Sequence, residues 1–463
     1  MKKRLIVIGA GISGLAAART AADWCWEHNC AVEVLVLERN NQVGGKAQSL
    51  RQDGWLIETG PTGYLDSEPA VDELATAAGI ISERIQAEEA AANRFVVRGG
   101  HMRQIPLHPL RFARTGILGP GGLCRLLLEP FIPKKRSDED ETVWQFARRR
   151  LGKQVADRLI APMVIGVFAG DAKRLSLPAT FPRIAALEYE HGSLILGMIH
   201  RRRKGKDGGP SGPAGTLTSF KEGLQTLPRA LAQSQNLTVR CGVMVEQVYP
   251  NTNNGWLVQV GKNDKPIPAD AVVLAGEAWS MRQLIKHHAP DLAQPLEEIP
   301  YPQVNVVALG FGRQGLDRIP PGFGVLVPRG EGYRILGVLW DSYIFPGREP
   351  DSHLLLRVML GGTVDNKIDQ LDEEATIRLV RAEIARLFHL TVDPVYTKVI
   401  KWTRAIPQYE LGHLSRVTAV EKALTKRPGL YIAGNALYGV AFGKAAAAGI
   451  QAGKAAAKQL CRK

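Results

Sequence analysis

The chain opens on an apolar run, Arg4-Leu-Ile-Val-Ile8, that breaks at Gly9-Ala-Gly11-Ile12-Ser13-Gly14 and passes straight into an alanine-rich stretch. Gly9, Gly11 and Gly14 fit G-x-G-x-x-G, a spacing that alone says little because glycine-rich turns are common. Its context says more. A strand feeds the turn and a helix leaves it, so the helix amides and positive dipole end can face a pyrophosphate. A second apolar strand over residues 32–37 ends at Glu38-Arg39, where a carboxylate would accept a ribose hydroxyl. The pattern predicts a dinucleotide-binding domain rather than a turn with only a structural role.

Further glycines narrow the choice of dinucleotide. Gly44-Gly45-Lys46 follows soon after the acid, and Gly60-Pro61-Thr62-Gly63 comes next. Paired glycines let the backbone pass close to a flat ring or a second phosphate, since no Cβ intervenes. Near the other end, Gly434-Asn435 leads through Val440-Ala441-Phe442 into another Ala/Gly-rich helix. Early and late segments closing on one extended ligand point to FAD. The alternative for the late segment is a terminal helix packed on the sheet.

At 463 residues the chain exceeds one ordinary domain, and two intertwined domains are expected. A net charge of +14 favours anionic partners. No aromatic-basic motif accompanies it, so lipid or a carboxylate-bearing substrate is preferred to nucleic acid. No apolar run reaches membrane-spanning length, nothing resembles a signal peptide, and the expected compartment is the cytoplasm. Cys25, Cys30, Cys124, Cys241 and Cys461 show neither metal spacing nor a disulfide framework, and Cys25 and Cys30 read as small packing residues. His101, His108, His287 and His288 lack acidic companions, so no metal site is expected.

The expected fold class is α/β with an α+β second domain. A Rossmann-like FAD-binding domain takes residues 1–90, 220–290 and 425–463. A sheet-rich substrate domain takes 91–106 and 300–424, entered by a hairpin turning at Gly99-Gly100. Residues 107–200 read as a helical subdomain, and 201–215 has the composition of a flexible loop.

Several further segments carry a resemblance: Asn93-Arg94-Phe95; Pro162 to Pro178 with Gly166 and Gly170; Gly322-Phe323-Gly324-Val-Leu326; Val358-Met359-Leu-Gly-Gly362; and Ile406-Pro407-Gln408-Tyr409 with Gly412-His413. With the glycine turns they make a chain that resembles, nearly end to end, the oxygen-dependent protoporphyrinogen oxidase family of the flavin amine-oxidase superfamily. The resemblance implies FAD as cofactor, a sheet roofing the flavin, and a helical membrane-docking region. It implies that Arg94 pairs with a propionate of the macrocycle. Gly324, Leu326, Leu339 and Met359 would form an apolar wall, Gly166 backbone opposite the reacting edge, and Val245 a contact to adenine. Thr62 departs from the Asn or Arg of several relatives, and Ala169 from the Gly of plant-like ones.

The chemistry so implied is hydride transfer from a porphyrinogen to the flavin, with dioxygen as acceptor and hydrogen peroxide as product, in haem or porphyrin biosynthesis. No side chain is needed as acid or base. Leu107, Leu110, Phe112, Ile117, Leu118, Leu123, Leu126–Leu128, Phe131 and Ile132 alternate with Arg103, Arg111, Arg114, Arg125 and Lys134-Lys135-Arg136. Apolar residues flanked by cations suit peripheral docking to an anionic membrane surface, the alternative being a helical lid with its own core. The expected partners are the porphyrinogen, dioxygen and that surface, with a homodimer as an open option and no nucleic acid. Competing readings are coproporphyrinogen III as substrate, a polyamine or carotenoid oxidoreductase of the same superfamily, and a non-catalytic FAD-binding scaffold. Amine oxidases place an aromatic pair beside the flavin, for which Tyr438 is the one obvious late candidate.

Overall fold

The computed structural model describes residues 2–137, 139–203, 215–314, 316 and 318–462. Its first sheet is all-parallel and draws on distant parts of the chain. The strand order is Leu237–Arg240, Val32–Leu37, Lys3–Ile8, Ala271–Leu274, Leu430–Ile432. Parallel strands need long crossovers, which is why the chain leaves this sheet for other structure after Leu37 and returns three times. Leu5, Val7, Val34 and Val36 face helices Ile12–Glu27 and Phe442–Leu460, whereas Ile6, Ile8, Leu35 and Leu37 face the opposite layer.

Those two helices lie unusually close. A Cβ at Gly449 would stand 2.2 Å from the Ser13 carbonyl oxygen, and one at Gly453 the same distance from that of Ala17. The helices therefore run parallel and in register, with small residues on both touching faces. Their far ends meet too, and here an expectation is corrected: Cys30 and Cys461 form a disulfide, with Cα atoms 5.7 Å apart. Sequence separation hid a pairing that the parallel crossing brings within reach.

The second sheet has seven strands in the order Tyr396–Trp402, Val304–Gly312, His353–Gly361, Ile335–Leu339, Gly324–Leu326, Arg94–Arg98, His101–Gln104. Only the pairing of Gly324–Leu326 with Arg94–Arg98 is parallel. Gly99 and Gly100 both take positive φ, +61° and +77°, as a two-residue hairpin turn demands. Strand alternation sends Val307, Val358 and Leu360 to one face, under Val380, Ile384 and Phe388 of helix Glu373–Phe388. The opposite face packs on Trp55 and Ile57 of strand Trp55–Glu58 and on Ile165 and Ala169.

The helical region divides the leucines that sequence grouped together. Ile117 and Leu118 are buried against Val155 and against Val96 of the second sheet, with Phe112, Leu123 and Leu126 packed around them. Leu107, Leu110, Leu127, Leu128 and Phe131 are exposed, Phe131 by 82%. Arg125 does not belong with the outward cations: it donates to the carbonyls of Arg149 (2.5 Å) and Arg150 (3.1 Å), capping helix Val143–Leu151. Helix Leu194–Arg203 runs into the segment read as a loop, of which residues 204–214 lie outside the described residues.

One side chain joins the second sheet to strand Trp55–Glu58 and the loop that follows it. Arg357 sits in an otherwise apolar strand and is 1% exposed. Its Nη1 donates to the carbonyls of Glu58 (2.7 Å) and Gly60 (3.1 Å), and its Nη2 to Thr62 Oγ1 (2.6 Å) and Asp341 Oδ1 (3.0 Å). Nε lies 2.9 Å from Asp341 Oδ2 as an ion-pair contact without hydrogen-bond geometry. The indole N–H of Trp402 donates to the Thr59 carbonyl at 2.7 Å, so two residues of the second sheet hold the 58–62 loop. Arg357→Met would leave Asp341 buried without its countercharge, and we expect unfolding stability to fall by about 3–5 kcal/mol. Calorimetry should show Arg357→Met/Asp341→Leu recovering part of that loss. Equal melting temperatures for Arg357→Met and the parent would contradict the clamp.

Candidate functional site

The glycine segments that lie far apart in sequence come together at the C-terminal edge of the first sheet. Gly9 takes φ +106° and packs on the Ala275 carbonyl, and a Cβ at Gly14 would collide with the Gly9 carbonyl oxygen at 1.8 Å. Those two glycines thus serve the turn and the close helix–strand contact. Gly11 differs, because a Cβ there would meet nothing within 4 Å. The space beside it opens onto the first turn of helix Ile12–Glu27, which has no side-chain cap. Its leading amides, including those of Ile12, Ser13 and Gly14, have no intrahelical acceptor. Room without a side chain, beside amide donors and a positive dipole end, fits a pyrophosphate.

The remaining segments line up along this opening. The Gly44 amide donates to the Ala10 carbonyl at 2.9 Å, and a Cβ at Gly45 would lie 3.4 Å from Gly11 Cα. Gly60 packs on the Lys46 carbonyl, where a Cβ would come to 2.2 Å, bringing Gly60-Pro61-Thr62 alongside. Gly63 is pressed to the Thr218 carbonyl. Gly434, at φ +122°, stands with its Cβ position 4.0 Å from Ser13 Oγ. Ala441 precedes helix Phe442–Leu460, also without a side-chain cap, while Val440 packs against the helical region.

Glu38 is 5% exposed; its Oε2 accepts from the Ala10 amide at 2.7 Å and its Oε1 from the Asn40 amide at 2.8 Å. Oε1 also accepts from Asn40 Nδ2 at 2.8 Å, so Oε2 is the oxygen that keeps a lone pair for a ribose hydroxyl. Val245 begins a strand just beyond Val243, whose amide donates to the Glu38 carbonyl. Arg39 turns away and stacks on Trp279, 5.1 Å from the ring centre. Lys46 pairs with Glu277 and donates to the Ala405 carbonyl, with burial pulling its pKa down against that pairing.

The substrate-side residues share one face of the second sheet. Arg94 is in register with Gly324, which is in register with Leu339 across the next strand. Leu326 meets helix Ala161–Phe168 at Gly166, where a Cβ would approach Leu326 Cδ2 to 2.6 Å. Met359 packs with Ile165 and Ala169 of the same helical segment, and Leu339 with Phe323 and Ala91. Arg94 is exposed, its guanidinium 5.7 Å from the Phe323 ring centre. Ala169 ends that helix in the left-handed region at φ +48°. Glycine adopts this conformation without the strain that alanine carries there.

The Ile406-Pro407-Gln408-Tyr409 segment also has a structural role that the motif alone did not reveal. Gln408 Nε2 donates to the Phe168 carbonyl at 2.9 Å, fixing the end of the Gly166 helix. Tyr409 is 1% exposed; its hydroxyl donates to the Asn435 carbonyl (2.5 Å) and accepts from the Gly439 amide (2.8 Å). His413 stacks on Tyr409 at 3.9 Å, and burial pushes its pKa down to about 4, so it stays neutral. Two neighbouring side chains thus tie the Asn435–Gly439 loop and the Gly166 helix together. Tyr438 turns outward, its hydroxyl donating to Glu421 at 3.2 Å, so it is not half of an aromatic pair.

Comparison with known proteins agrees with this geometry. The model of the family described as flavin containing amine oxidoreductase matches residues 12–461. The coproporphyrinogen III oxidase of Bacillus subtilis (strain 168) is 29% identical over 456 residues, covering 95% of this chain and 94% of that one. Protoporphyrinogen oxidase 2, chloroplastic/mitochondrial, of Arabidopsis thaliana is 30% identical over 479 residues, covering 97% and 93%. Among solved structures, cyclohexylamine oxidase of Brevibacterium oxydans IH-35A shares the fold with a TM-score of 0.71 at 17% identity, covering 100% of this chain and 99% of that one. An Exiguobacterium sp. 255-15 structure carrying a provisional protoporphyrinogen oxidase name reaches 0.85 at 24%, covering 99% of both chains. The chain belongs to the flavin-containing amine oxidoreductases and is an FAD-dependent oxidoreductase.

Proposed function

We propose that this protein oxidises protoporphyrinogen IX to protoporphyrin IX, with dioxygen as acceptor and hydrogen peroxide as product. The carrying observation is the sheet face that bears Gly324, Leu326 and Met359 against the Gly166 helix, with Arg94 at one end. A porphyrinogen is a flexible apolar macrocycle with carboxylate arms, and this face offers an aliphatic wall with a guanidinium beside it. When bound, FAD supplies the hydride acceptor. The side chains orient the macrocycle and exclude water, and none is required to move a proton.

A coproporphyrinogen III reading remains the second candidate, because relatives of that name from Bacillus subtilis and Staphylococcus aureus (strain NCTC 8325 / PS 47) match this chain over 95% and 91% of its length. That substrate carries four propionates instead of two and would need further cations. In either case Arg94 would hold a carboxylate through a charge-assisted bond worth about 1.5–3 kcal/mol. Arg94→Ala should lower kcat/KM by roughly 10- to 150-fold, chiefly through KM, with the flavin spectrum unchanged. Lysine should restore only part, lacking the planar fork. Unaltered KM for both porphyrinogens in the alanine variant would remove Arg94 from the site.

The exposed apolar set also supports peripheral membrane docking. Leu107, Leu110, Leu127, Leu128 and Phe131 stand beside the exposed Arg111 and Arg114, and no helix among the described residues is long and apolar enough to cross a membrane. Such a surface combines shallow insertion with screened Coulomb attraction. In flotation assays the protein should bind anionic liposomes and be released by salt. Arg111→Glu/Arg114→Glu should weaken binding without loss of FAD, whereas Arg125 is left intact because it caps a helix. Flotation unaffected by salt and by both substitutions would contradict docking through this face.

A further inference from the structure

Three cysteines from opposite ends of the chain meet where the two parallel helices finish. Cys25 lies in the last turns of helix Ile12–Glu27, Cys30 just beyond it, and Cys461 just beyond helix Phe442–Leu460. Cys30 and Cys461 are bonded across a sequence separation of 431 residues, and Cys25 Sγ lies 3.7 Å from Cys461 Sγ. The Cys30 amide donates to the Cys25 carbonyl at 2.8 Å, which keeps the first two cysteines in fixed relation. Cys30 and Cys461 are partly exposed, whereas Cys25 is 3% exposed. A reagent can thus reach the bonded pair, and the third sulfur waits beneath it.

We propose that Cys25, Cys30 and Cys461 form a reversible thiol–disulfide site that locks the two cofactor-bearing helices together, closed by a hydroperoxide and opened by a dithiol. In closing, one thiolate attacks a peroxide oxygen, the O–O bond breaks, and the sulfur becomes a sulfenic acid while the alcohol or water departs. The second thiolate attacks that sulfur and displaces hydroxide, which leaves as water. Two thiols are oxidised and one peroxide is reduced. Opening reverses the sulfur balance, with the dithiol leaving as its own disulfide. Cys25 supplies an exchange partner: its thiolate attacking Cys461 Sγ forms a Cys25–Cys461 bond and frees Cys30 with no net oxidation.

The lock matters because of what the helices carry. Both begin at the FAD site without side-chain caps, and both touch through Gly449 and Gly453 along their length. A bond at their far ends holds that crossing against local opening, so the cofactor's helix termini stay in place. The physiological oxidant would be the peroxide released under the proposed oxidase reaction. The chemistry at sulfur needs only that a peroxide be present.

The test uses FAD-loaded full-length protein in a Cys124→Ser/Cys241→Ser background, which removes the two exposed free thiols. The protein is reduced, treated with stoichiometric hydrogen peroxide, alkylated and digested. Mass spectrometry should find a Cys30–Cys461 crosslink that a dithiol reverses, and Cys30→Ser should yield a Cys25–Cys461 crosslink instead. Flavin release in denaturant should slow about fivefold or more in the oxidised form. Absence of both crosslinks overturns the proposal, as does equal flavin release from oxidised and reduced protein. Because the peroxide is added, a crosslink in a protein inert to porphyrinogens would sink the substrate reading and leave this one standing.

Discussion

The structure depends on two parallel helices approaching more closely than any ordinary side chain permits. Helices pointing the same way place like dipole ends side by side, an arrangement that neither helix would favour alone. Here Ser13 and Ala17 meet Gly449 and Gly453, so backbone packs on backbone and the apolar area removed from water outweighs the dipole cost. The positive end of helix Ile12–Glu27 then faces the opening beside Gly11, whose Cβ space is empty, while helix Phe442–Leu460 begins about 9 Å further out, since Gly449 and not Phe442 stands opposite Ser13. A diphosphate in that opening makes that positive end a binding site. The crossing also joins the first strand's domain to the last helix, so a cofactor held there draws on both ends of the chain.

The second sheet has to be held at a set distance from that opening, and Arg357 does most of this. Four hydrogen bonds from its guanidinium go to Glu58, Gly60, Thr62 and Asp341, which locks the loop expected to lie against the flavin to the sheet expected to lie against substrate. Thr62 belongs to this clamp, since its hydroxyl accepts one of the four bonds. Tyr409 and Gln408 make a similar joint at the opposite rim. Rigid joints of this kind fix relative position within fractions of an ångström, which hydride transfer between two bound molecules requires.

Local chemistry was readable from sequence, whereas long-range partnership was not. Gly9–Gly14, the hairpin at Gly99-Gly100 and the alternating strands of the second sheet each follow from a few adjacent residues. The grouping of leucines in 107–132 mixed core with surface, because helical periodicity in short proline-broken segments does not say which face has a neighbour. Arg125 read as an outward cation because nothing nearby announces that its partners are the carbonyls of residues 149 and 150. Arg357 did leave a signal, a lone arginine inside Leu-Leu-Leu-Arg-Val-Met-Leu, which can be buried only with counterpartners. Cys30 and Cys461 left none: their pairing follows from the helix crossing, and that crossing is visible only in three dimensions.

The central claim is that an apolar sheet face, with a guanidinium beside it, presents a porphyrinogen to FAD. Anaerobic rapid mixing of the FAD-loaded protein with protoporphyrinogen IX and, separately, coproporphyrinogen III tests it without reliance on any substitution. The account predicts loss of the oxidised-flavin absorbance with protoporphyrinogen in a single turnover, followed by return of the absorbance when dioxygen is admitted. Bleaching by coproporphyrinogen alone would correct the substrate and keep the chemistry. Flavin absorbance that persists with both porphyrinogens would contradict the account.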